Sequence, residues 1–212
     1  MSKTTNREYP SRKKLEILIQ KLAYPTEYNN DLEQYLTDSH IASMLVYLAF
    51  QNGDIKGKTV ADLGCGNGVL AFGAAIMGAS HVYAIDSDLS MTTLCKENCK
   101  GLPVTVETSN ITTFSRKVDT VLMNPPFGSV RKHADLPFIM AAAAHASTIY
   151  SIHNMKTKDF IEKQYDEIGD VFFQAKVLIS VPRIYAHHKE NLHDMEALII
   201  ALRVETQAKK PN

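Results

Sequence analysis

The stretch Val60–Ala75, VADLGCGNGVLAFGAA, connects a short apolar run to a helical pattern through a turn that contains three glycines. Gly64, Gly66 and Gly68 occupy alternate positions of that turn. A turn this tight needs residues that adopt positive φ, and it brings backbone N–H groups and the start of the next helix close to a ligand. The spacing differs from the G-x-x-x-x-G-K-S/T loop of triphosphate-binding proteins, so an ATP-driven P-loop is not expected.

Two aspartates accompany the glycine turn. Asp62 lies in the end of the preceding run, and Asp86 closes the run VYAID 22 residues after Gly64. A carboxylate at the tip of a second strand can accept hydrogen bonds from both ribose hydroxyls of a nucleoside cofactor. Glycine turn and carboxylate together predict an adenosine-containing ligand. A purely structural turn with an exposed aspartate is the alternative, and dinucleotide binding also stays open although the usual G-x-G-x-x-G is missing.

From Lys58 onward, short apolar runs alternate with helical stretches. This alternation indicates βαβ units, and thus an α/β fold of the Rossmann-like type with about seven mostly parallel strands and helices on both faces. Residues 135–152, DLPFIMAAAAHASTIYSI, read as one helix. Residues 171–180 and 195–204 read as two longer strands near the end.

The N-terminal part has a different pattern. Apolar residues from Leu15 to Leu22 recur at helical spacing, and a second helix is predicted to begin at Ser39, capped by its hydroxyl, and to stop at Gly53. We expect residues 1–212 to form a single domain. Residues 1–53 would be a helical extension that covers the cofactor, and residues 54–212 would be the Rossmann-like core.

Composition limits the function classes. Lys and Arg together number 23, as do Asp and Glu, so no global positive field attracts nucleic acid, and any polyanion site must be local. The three cysteines suit a reducing compartment, with Cys95 and Cys99 packed in the interior, and no signal peptide or membrane span is visible. These features predict a cytoplasmic protein. We expect Met77 and Met140 to fill gaps in the core.

A second unusual turn follows the apolar run VDTVLM. Asn124-Pro125-Pro126-Phe127 contains two prolines, which restrict two φ angles and remove two backbone donors. The Asn124 side-chain oxygen and the Pro125 carbonyl can then accept both N–H bonds of an amino group and favour the geometry in which its nitrogen attacks. Phe127 can stack on a base, a contact worth about 1–3 kcal/mol. A proline-stopped strand whose phenylalanine packs into the core is the alternative.

The motifs DLGCGNG and NPPF resemble those of class I S-adenosylmethionine-dependent methyltransferases. The further segments LEQYLTDSHIA, IYSIH and YAHHK are similar to the small archaeal and eukaryotic ribosomal-RNA adenine-N6 methyltransferase family. This resemblance implies methyl transfer from S-adenosylmethionine to N6 of an adenosine in structured RNA, with small-subunit ribosomal RNA as the expected substrate. It also implies a small zinc-binding activator protein as a partner.

The resemblance assigns residues as well. Gln34 and Thr37, with Tyr35 between them, would close over the cofactor. Asn110 stands where the family more usually has an aspartate that faces the adenine amino group, so the sequence departs from the pattern there. The remaining expected cofactor residues are Asp62, Gly64, Gly66 and Asp86.

Four basic residues near the substrate entrance complete the predicted site. Arg131 and Lys132 follow the NPPF turn, and a solvated loop is the alternative explanation for them. His188 and Lys189 lie between the last two predicted strands, where the resemblance places a substrate loop. The adjacent histidines His187 and His188 point to opposite sides of an extended chain, so we expect no metal site.

Three other functions remain open. Methylation of the glutamine side chain of a translation release factor uses the same acceptor pair on an amide nitrogen, although those proteins are longer and typically have tyrosine after the prolines. A DNA adenine methyltransferase is a further alternative, but no target-recognition domain is evident. A protein that binds the cofactor and stabilises a ribosomal or protein partner without turnover is the third.

Overall fold

The computed structural model describes residues 8–25, 37–127, 133–182 and 192–205. Seven strands form one sheet, in which the first five are parallel and the last two are antiparallel to their neighbours. In chain order they are β1 (Thr59–Leu63), β2 (His81–Asp86), β3 (Val104–Thr108), β4 (Val118–Met123), β5 (Ala146–Asn154), β6 (Gly169–Pro182) and β7 (Leu192–Val204). Their order across the sheet is β3-β2-β1-β4-β5-β7-β6.

Six α-helices lie in the described part of the chain and cover the two faces of the sheet. They are α1 (Arg12–Ile19), α2 (Ser39–Gln51), α3 (Val69–Ile76), α4 (Leu89–Asn98), α5 (Leu136–His145) and α6 (Lys158–Asp166). Buried side chains of α1, α2, α3 and α4 pack in one hydrophobic cluster, and those of α5 and α6 pack in another. Successive strand residues alternate between the clusters, as Val121 and Leu122 do, because side chains point to opposite faces of a strand.

The predicted fold class is confirmed, and β4 has the bounds of the run VDTVLM. The prediction of one helix over residues 135–152 was wrong in its second half. Helix α5 ends at His145, and Ala146 begins β5, which pairs with both β4 and β7. The alanine-rich run is helical, in agreement with its high helix propensity, whereas Thr148, Ile149 and Tyr150 in the following segment favour a strand, a signal that the prediction did not use.

Both predicted N-terminal helices are present. Ser11 caps α1, but the predicted cap of α2 was one residue off: the Asp38 carboxylate accepts from the backbone N–H groups of His40 at 2.8 Å and Ile41 at 3.4 Å. Aspartate and serine are both strong N-caps, so the sequence pattern alone did not distinguish them. Gly53, with φ of 79°, follows the end of α2 as expected.

The packing predictions were right for all the residues except one. Cys95 and Cys99 are buried and free, and Met77 is fully buried. Met140 is 57% exposed because it lies on the outer side of α5, whose buried residues are Ile139 and Ala142. Within the described ranges, no helix combines the length and apolar character needed to cross a bilayer.

Candidate active site

The sheet register brings the two predicted turns together. Leu63 at the end of β1 pairs with Ile85 in β2 on one side and with Met123 in β4 on the other. Leu63, Ile85 and Met123 are followed by Gly64, Asp86 and Asn124, respectively. Since adjacent strands lie about 4.8 Å apart, the glycine turn has the acidic strand tip on one side and the Asn-Pro-Pro turn on the other. This is the carboxyl edge of the parallel strands, where ligands bind in such sheets.

The glycine turn has the backbone conformation that the sequence predicted. Gly64, Gly66 and Gly68 have φ values of 75°, 52° and 86°. A Cβ at Gly64 would lie 2.9 Å from a ring atom of Phe138, and one at Gly68 would lie 2.5 Å from Cys95 Sγ. Two of the three glycines are therefore required by close packing of α5 and α4 against the turn as well as by positive φ.

Asp86 fixes this turn through backbone hydrogen bonds. Its carboxylate accepts from Gly66 N–H at 2.9 Å and from Asp88 N–H at 3.0 Å. Burial raises the pKa of this carboxyl group above its ordinary value, although the backbone hydrogen bonds oppose the shift. Each carboxylate oxygen keeps a further lone pair, so the predicted contact with ribose hydroxyls is compatible with these bonds.

Asp62 is fully buried beneath the turn. Its Oδ2 accepts from Ala71 N–H at 2.8 Å in the first turn of α3, and its Oδ1 has no partner among the described residues. Burial raises the pKa of Asp62 to about 7, and the nearby Asp86 adds to the rise. Asp62 thus joins β1 to α3, and its role toward the cofactor stays a prediction.

Asn110 follows β3 at the same edge and is exposed. Its Oδ1 accepts from Thr112 N–H at 3.0 Å and from the Thr112 hydroxyl at 2.8 Å. Both lone pairs of this oxygen are therefore in use. To accept from an adenine amino group, as the resemblance implies, Asn110 must first exchange one of these partners.

Asn124 is held by the N-terminal part of the chain. Its Nδ2 donates to Thr37 Oγ1 at 2.9 Å. Its Oδ1 is buried and has no hydrogen-bond partner in the described structure. A buried amide oxygen without a donor costs about 1–3 kcal/mol, so this atom marks a position for an N–H group from outside the described chain.

The rest of the NPPF turn lies against the interior. Pro125 is buried, and Pro126 is partly buried. Phe127 is only 6% exposed and belongs to the hydrophobic cluster under α1, α2 and α3. In this conformation its ring offers no open face, so stacking on a base requires a movement of the turn. The predicted stacking role of Phe127 stays a prediction.

Five predicted residues fall outside the described ranges, and their placement is therefore untested. One, Gln34, was assigned to the cofactor by resemblance. The four others were assigned to the substrate: Arg131, Lys132, His188 and Lys189.

The sequence analysis missed an asparagine clamp next to the glycine turn. Asn98 Oδ1 accepts from Ala23 N–H at 2.8 Å, and Asn98 Nδ2 donates to the Ala23 and Asn67 carbonyls at 3.0 and 2.9 Å. Asn67 Nδ2 also donates to the Ala23 carbonyl, at 3.0 Å. The clamp attaches the segment after α1 to the turn. Its sequence signal was Asn98 itself, a polar residue three positions after the buried Cys95 on α4.

The sequence analysis also missed a buried polar cluster on β5. His153 Nε2 lies 2.9 Å from the Tyr165 hydroxyl and 3.1 Å from Ser151 Oγ, and His153 Nδ1 lies 3.4 Å from Asp135 Oδ2. Burial lowers the pKa of His153. Since all four side chains are at most 5% exposed, the cluster offers no accessible nucleophile, and it joins the start of α5 to β5 and α6. Its signal was two polar residues, Ser151 and His153, on one face of an apolar strand.

Comparison with known proteins agrees with this geometry. The model of the family described as "Methyltransferase small domain" matches residues 38–168. The zebrafish (Danio rerio) protein named rRNA N(6)-adenosine-methyltransferase METTL5 is 34% identical over 195 residues, which cover 87% of this chain and 94% of the relative. Protein MJ0284 of Methanocaldococcus jannaschii is 34% identical over 209 residues, which cover 92% and 94% of the two chains.

A solved structure supports the same conclusion. Protein PH1948 from Pyrococcus horikoshii is 36% identical and superimposes with a TM-score of 0.87, covering 94% of this chain and all of that one. The cofactor of such methyltransferases is S-adenosylmethionine, and the residues fit an adenosine-containing molecule: positive-φ glycines, a carboxylate on the neighbouring strand tip and unpaired buried oxygens on Asp62 and Asn67. The chain belongs to the methyltransferase small-domain family and is an S-adenosylmethionine-dependent methyltransferase.

Proposed function

We propose that this methyltransferase modifies N6 of an adenosine in structured RNA, and that the RNA is small-subunit ribosomal RNA. The relatives named rRNA N6-adenosine methyltransferases support the reaction and the ribosomal substrate. The structural observation that carries the proposal is the buried Asn124 Oδ1, which has no donor among the described residues. An exocyclic amino group supplies the N–H that this oxygen lacks.

The chemistry explains why an acceptor is needed. The lone pair of an adenine amino group is delocalised into the ring, so the amine is a weak nucleophile. S-adenosylmethionine supplies an electrophilic methyl group when bound. Asn124 Oδ1 and the Pro125 carbonyl accept the two N–H bonds and favour the pyramidal nitrogen, whose positive charge grows as it attacks. These residues act by position, and no strong general base is required.

The two prolines make the acceptor pair rigid. Pro125 and Pro126 each have φ restricted to about −65°, so the backbone after Asn124 has few alternative conformations. A rigid acceptor pair loses little entropy when the substrate binds. Phe127 would stack on the base after the turn shifts and exposes its ring.

The cofactor would be held at the neighbouring strand ends. Gly64 and Gly66 border its methionine part, and Asp86 binds its ribose. Asn110 accepts from the adenine amino group after releasing one Thr112 bond. Asp62 and Gln34 complete the proposed cofactor contacts, whereas Thr37, which the resemblance also assigns to the cofactor, accepts a hydrogen bond from Asn124.

The RNA would be bound by local basic groups because the whole chain is neutral. Arg131 and Lys132 follow the catalytic turn directly, and His188 and Lys189 belong to the other proposed substrate loop. Phosphate contacts of this kind make binding weaker at higher salt.

Glutamine methylation on a protein substrate is the second candidate. This reaction needs the same two N–H acceptors but no ring on which a base can stack. Because Phe127 is only 6% exposed and offers no such surface, its burial favours the glutamine substrate.

The test is transfer of labelled methyl groups to free ribosomal RNA, to ribosomal subunits and to protein extract. We expect N6-methyladenosine in small-subunit RNA, and a loss of about 100-fold in rate for Asn124→Ala, as for removal of other transition-state hydrogen bonds. Asn52→Ala is the matched control, because Asn52 follows the last residue of α2, at the opposite end of that helix from Thr37, and its side chain bonds the Leu48 carbonyl and the Tyr150 hydroxyl. Label in protein alone would refute the RNA assignment, and label in large-subunit RNA alone would refute the small-subunit assignment.

We also propose a cytoplasmic location, a single domain over residues 1–212, and a small zinc-binding activator protein as a partner. An apolar groove of about 420 Å³ between α2 and the β6–β7 pair supports the partner, since Met44, Tyr47 and Phe173 line it. Co-expression with the activator should raise the melting temperature of the methyltransferase, and an unchanged value would count against the partner.

A further inference from the structure

The contact between Thr37 and Asn124 joins two distant parts of the chain at the reacting position. Asn124 Nδ2 donates to Thr37 Oγ1 at 2.9 Å, across 87 positions of sequence. Thr37 is 9% exposed, so water competes little for this bond. The same side chain has its Oδ1 buried without a partner. One end of the amide is therefore bound within the fold, and the other end is left for a ligand.

The orientation of this amide matters for the reaction. Asparagine has an acceptor at one end and two donors at the other. If the amide turned by 180°, its N–H groups would face the N–H groups of the substrate amine, and neither would find an acceptor. A threonine hydroxyl can accept from Nδ2 or donate to Oδ1, so Thr37 holds the amide in place, and the N–H groups of the substrate select the orientation that directs Oδ1 toward them.

Thr37 itself is held in place by the start of α2. The next residue, Asp38, caps that helix through two backbone N–H groups. The buried face of α2 packs closely on α3, since a Cβ at Gly73 would lie 3.0 Å from Val46 Cγ2. The Thr37 hydroxyl thus belongs to a packed helix end rather than to a free loop. Such support is what a precisely oriented group needs.

We propose that Thr37 is a positioning residue that holds the Asn124 amide at the reacting position, where its Oδ1 accepts from an N–H group of the substrate. This inference rests on the proposed function, because it concerns the same reacting nitrogen. It differs from the cofactor contact that the resemblance assigns to Thr37. A cofactor contact changes cofactor affinity, whereas the position of the Asn124 amide changes the rate when the cofactor is saturating.

The kinetic test compares Thr37→Val, which has the same shape without a hydroxyl, with Thr37→Ser, which keeps the hydroxyl. We expect Thr37→Val to lower the single-turnover rate at saturating S-adenosylmethionine about tenfold, the equivalent of one hydrogen bond. Cofactor affinity, measured by calorimetry, should stay the same, and Thr37→Ser should restore most of the rate. Weaker cofactor binding with an unchanged saturated rate would overturn the inference.

Thr120→Val is the matched control. Thr120 is a buried β4 residue whose hydroxyl donates to the Asp54 carbonyl at 2.7 Å, near the opposite end of the strand from Asn124. Its loss should lower stability without changing the saturated rate of the folded enzyme. Equal rate losses in both valine variants would mean a general packing effect and would contradict the inference. If Thr37→Val does not fold, Thr37→Ala removes the same hydroxyl without added bulk.

A spectroscopic measurement separates this inference from the proposed function. The ¹⁵N–¹H₂ side-chain signals of Asn124 can be assigned by their absence in Asn124→Ala. We expect them to shift in Thr37→Val and to stay near their wild-type positions in Thr37→Ser, and no shift in Thr37→Val would overturn the inference. If Asn124→Ala methylates at the wild-type rate, the proposed function fails even where these shifts appear. If Asn124→Ala is inactive and Thr37→Val is fully active, the inference alone fails.

Discussion

Two polar clusters at opposite ends of the parallel strands differ in whether their hydrogen bonds are complete. At the amino end, the Asp54 carboxylate accepts from the Tyr150 hydroxyl at 2.5 Å and from Arg203 Nη1 at 2.7 Å. At the carboxyl edge, side-chain oxygens of Asp62 and Asn124 are buried with no partner in the described structure.

The difference separates stability from function. A polar cluster with all its partners inside the fold holds elements together. The Asp54 cluster joins β5 and β7 to the loop that precedes β1. A cluster with unpaired acceptors is costly for the fold alone and is explained by a ligand that supplies the missing donors. His145 Nδ1 and His153 Nδ1 are also buried without a hydrogen-bond partner among the described residues, so the active edge is identified by these unpaired oxygens together with the glycine and Asn-Pro-Pro turns.

Asp54→Ala should have the largest effect on stability. It leaves the buried Tyr150 hydroxyl without its acceptor and removes the carboxylate that Arg203 binds, so we expect a loss of about 2–3 kcal/mol in the free energy of unfolding by urea. The methylation rate of the folded protein should not change. A lower methylation rate of the folded Asp54→Ala protein would show that the Asp54 cluster affects the active site as well as stability.

Asp62→Asn should change how stability depends on pH. The pKa of Asp62 in the folded protein, about 7, lies above the ordinary aspartate value of 3.8, so the folded state keeps a proton that the unfolded state loses. The contribution of this group is therefore complete below pH 3.8 and declines as the pH rises toward 7, by up to about 1.4 kcal/mol per pH unit. Asparagine keeps the bond to Ala71 N–H and should flatten this decline.

Urea unfolding of both proteins between pH 4 and 8 in the absence of cofactor measures this effect. If the free energy of unfolding depends on pH in the same way for wild type and Asp62→Asn, the raised pKa of Asp62 is contradicted. Asn124 would then be the one remaining example of a costly unpaired group in the comparison of the two clusters.

Asn98→Asp should have the smallest effect. Aspartate keeps the acceptor for Ala23 N–H but loses the two donor bonds to the Ala23 and Asn67 carbonyls. These bonds are partly open to solvent, so we expect about 1 kcal/mol in urea unfolding. Asn98→Leu should cost more, since it removes all three bonds. Equal stability of wild type and both variants would show that the clamp does not hold the segment after α1.

Local patterns in the sequence were sufficient for several features. The bounds of β4, the positive φ of the three glycines and the seven-stranded α/β fold follow from alternation, turn composition and apolar runs. The boundary between α5 and β5 at His145 and Ala146 was not predictable in this way. No glycine or proline separates the helix from the strand, and although Thr148, Ile149 and Tyr150 favour a strand, pairing with β4 and β7 fixes where it begins.

In the candidate active site, too, some features could be predicted from the sequence and others could not. The sequence by itself determined which residues are candidates for the chemistry, because a glycine turn, a strand-end carboxylate and an Asn-Pro-Pro turn are each recognisable within a few residues. Only the tertiary structure decided that Thr37 bonds Asn124, that Asn98 clamps Ala23 and that Phe127 is buried. Those contacts join residues far apart in the chain, and their hydrogen bonds and packing exist only after the sheet and its helices have assembled.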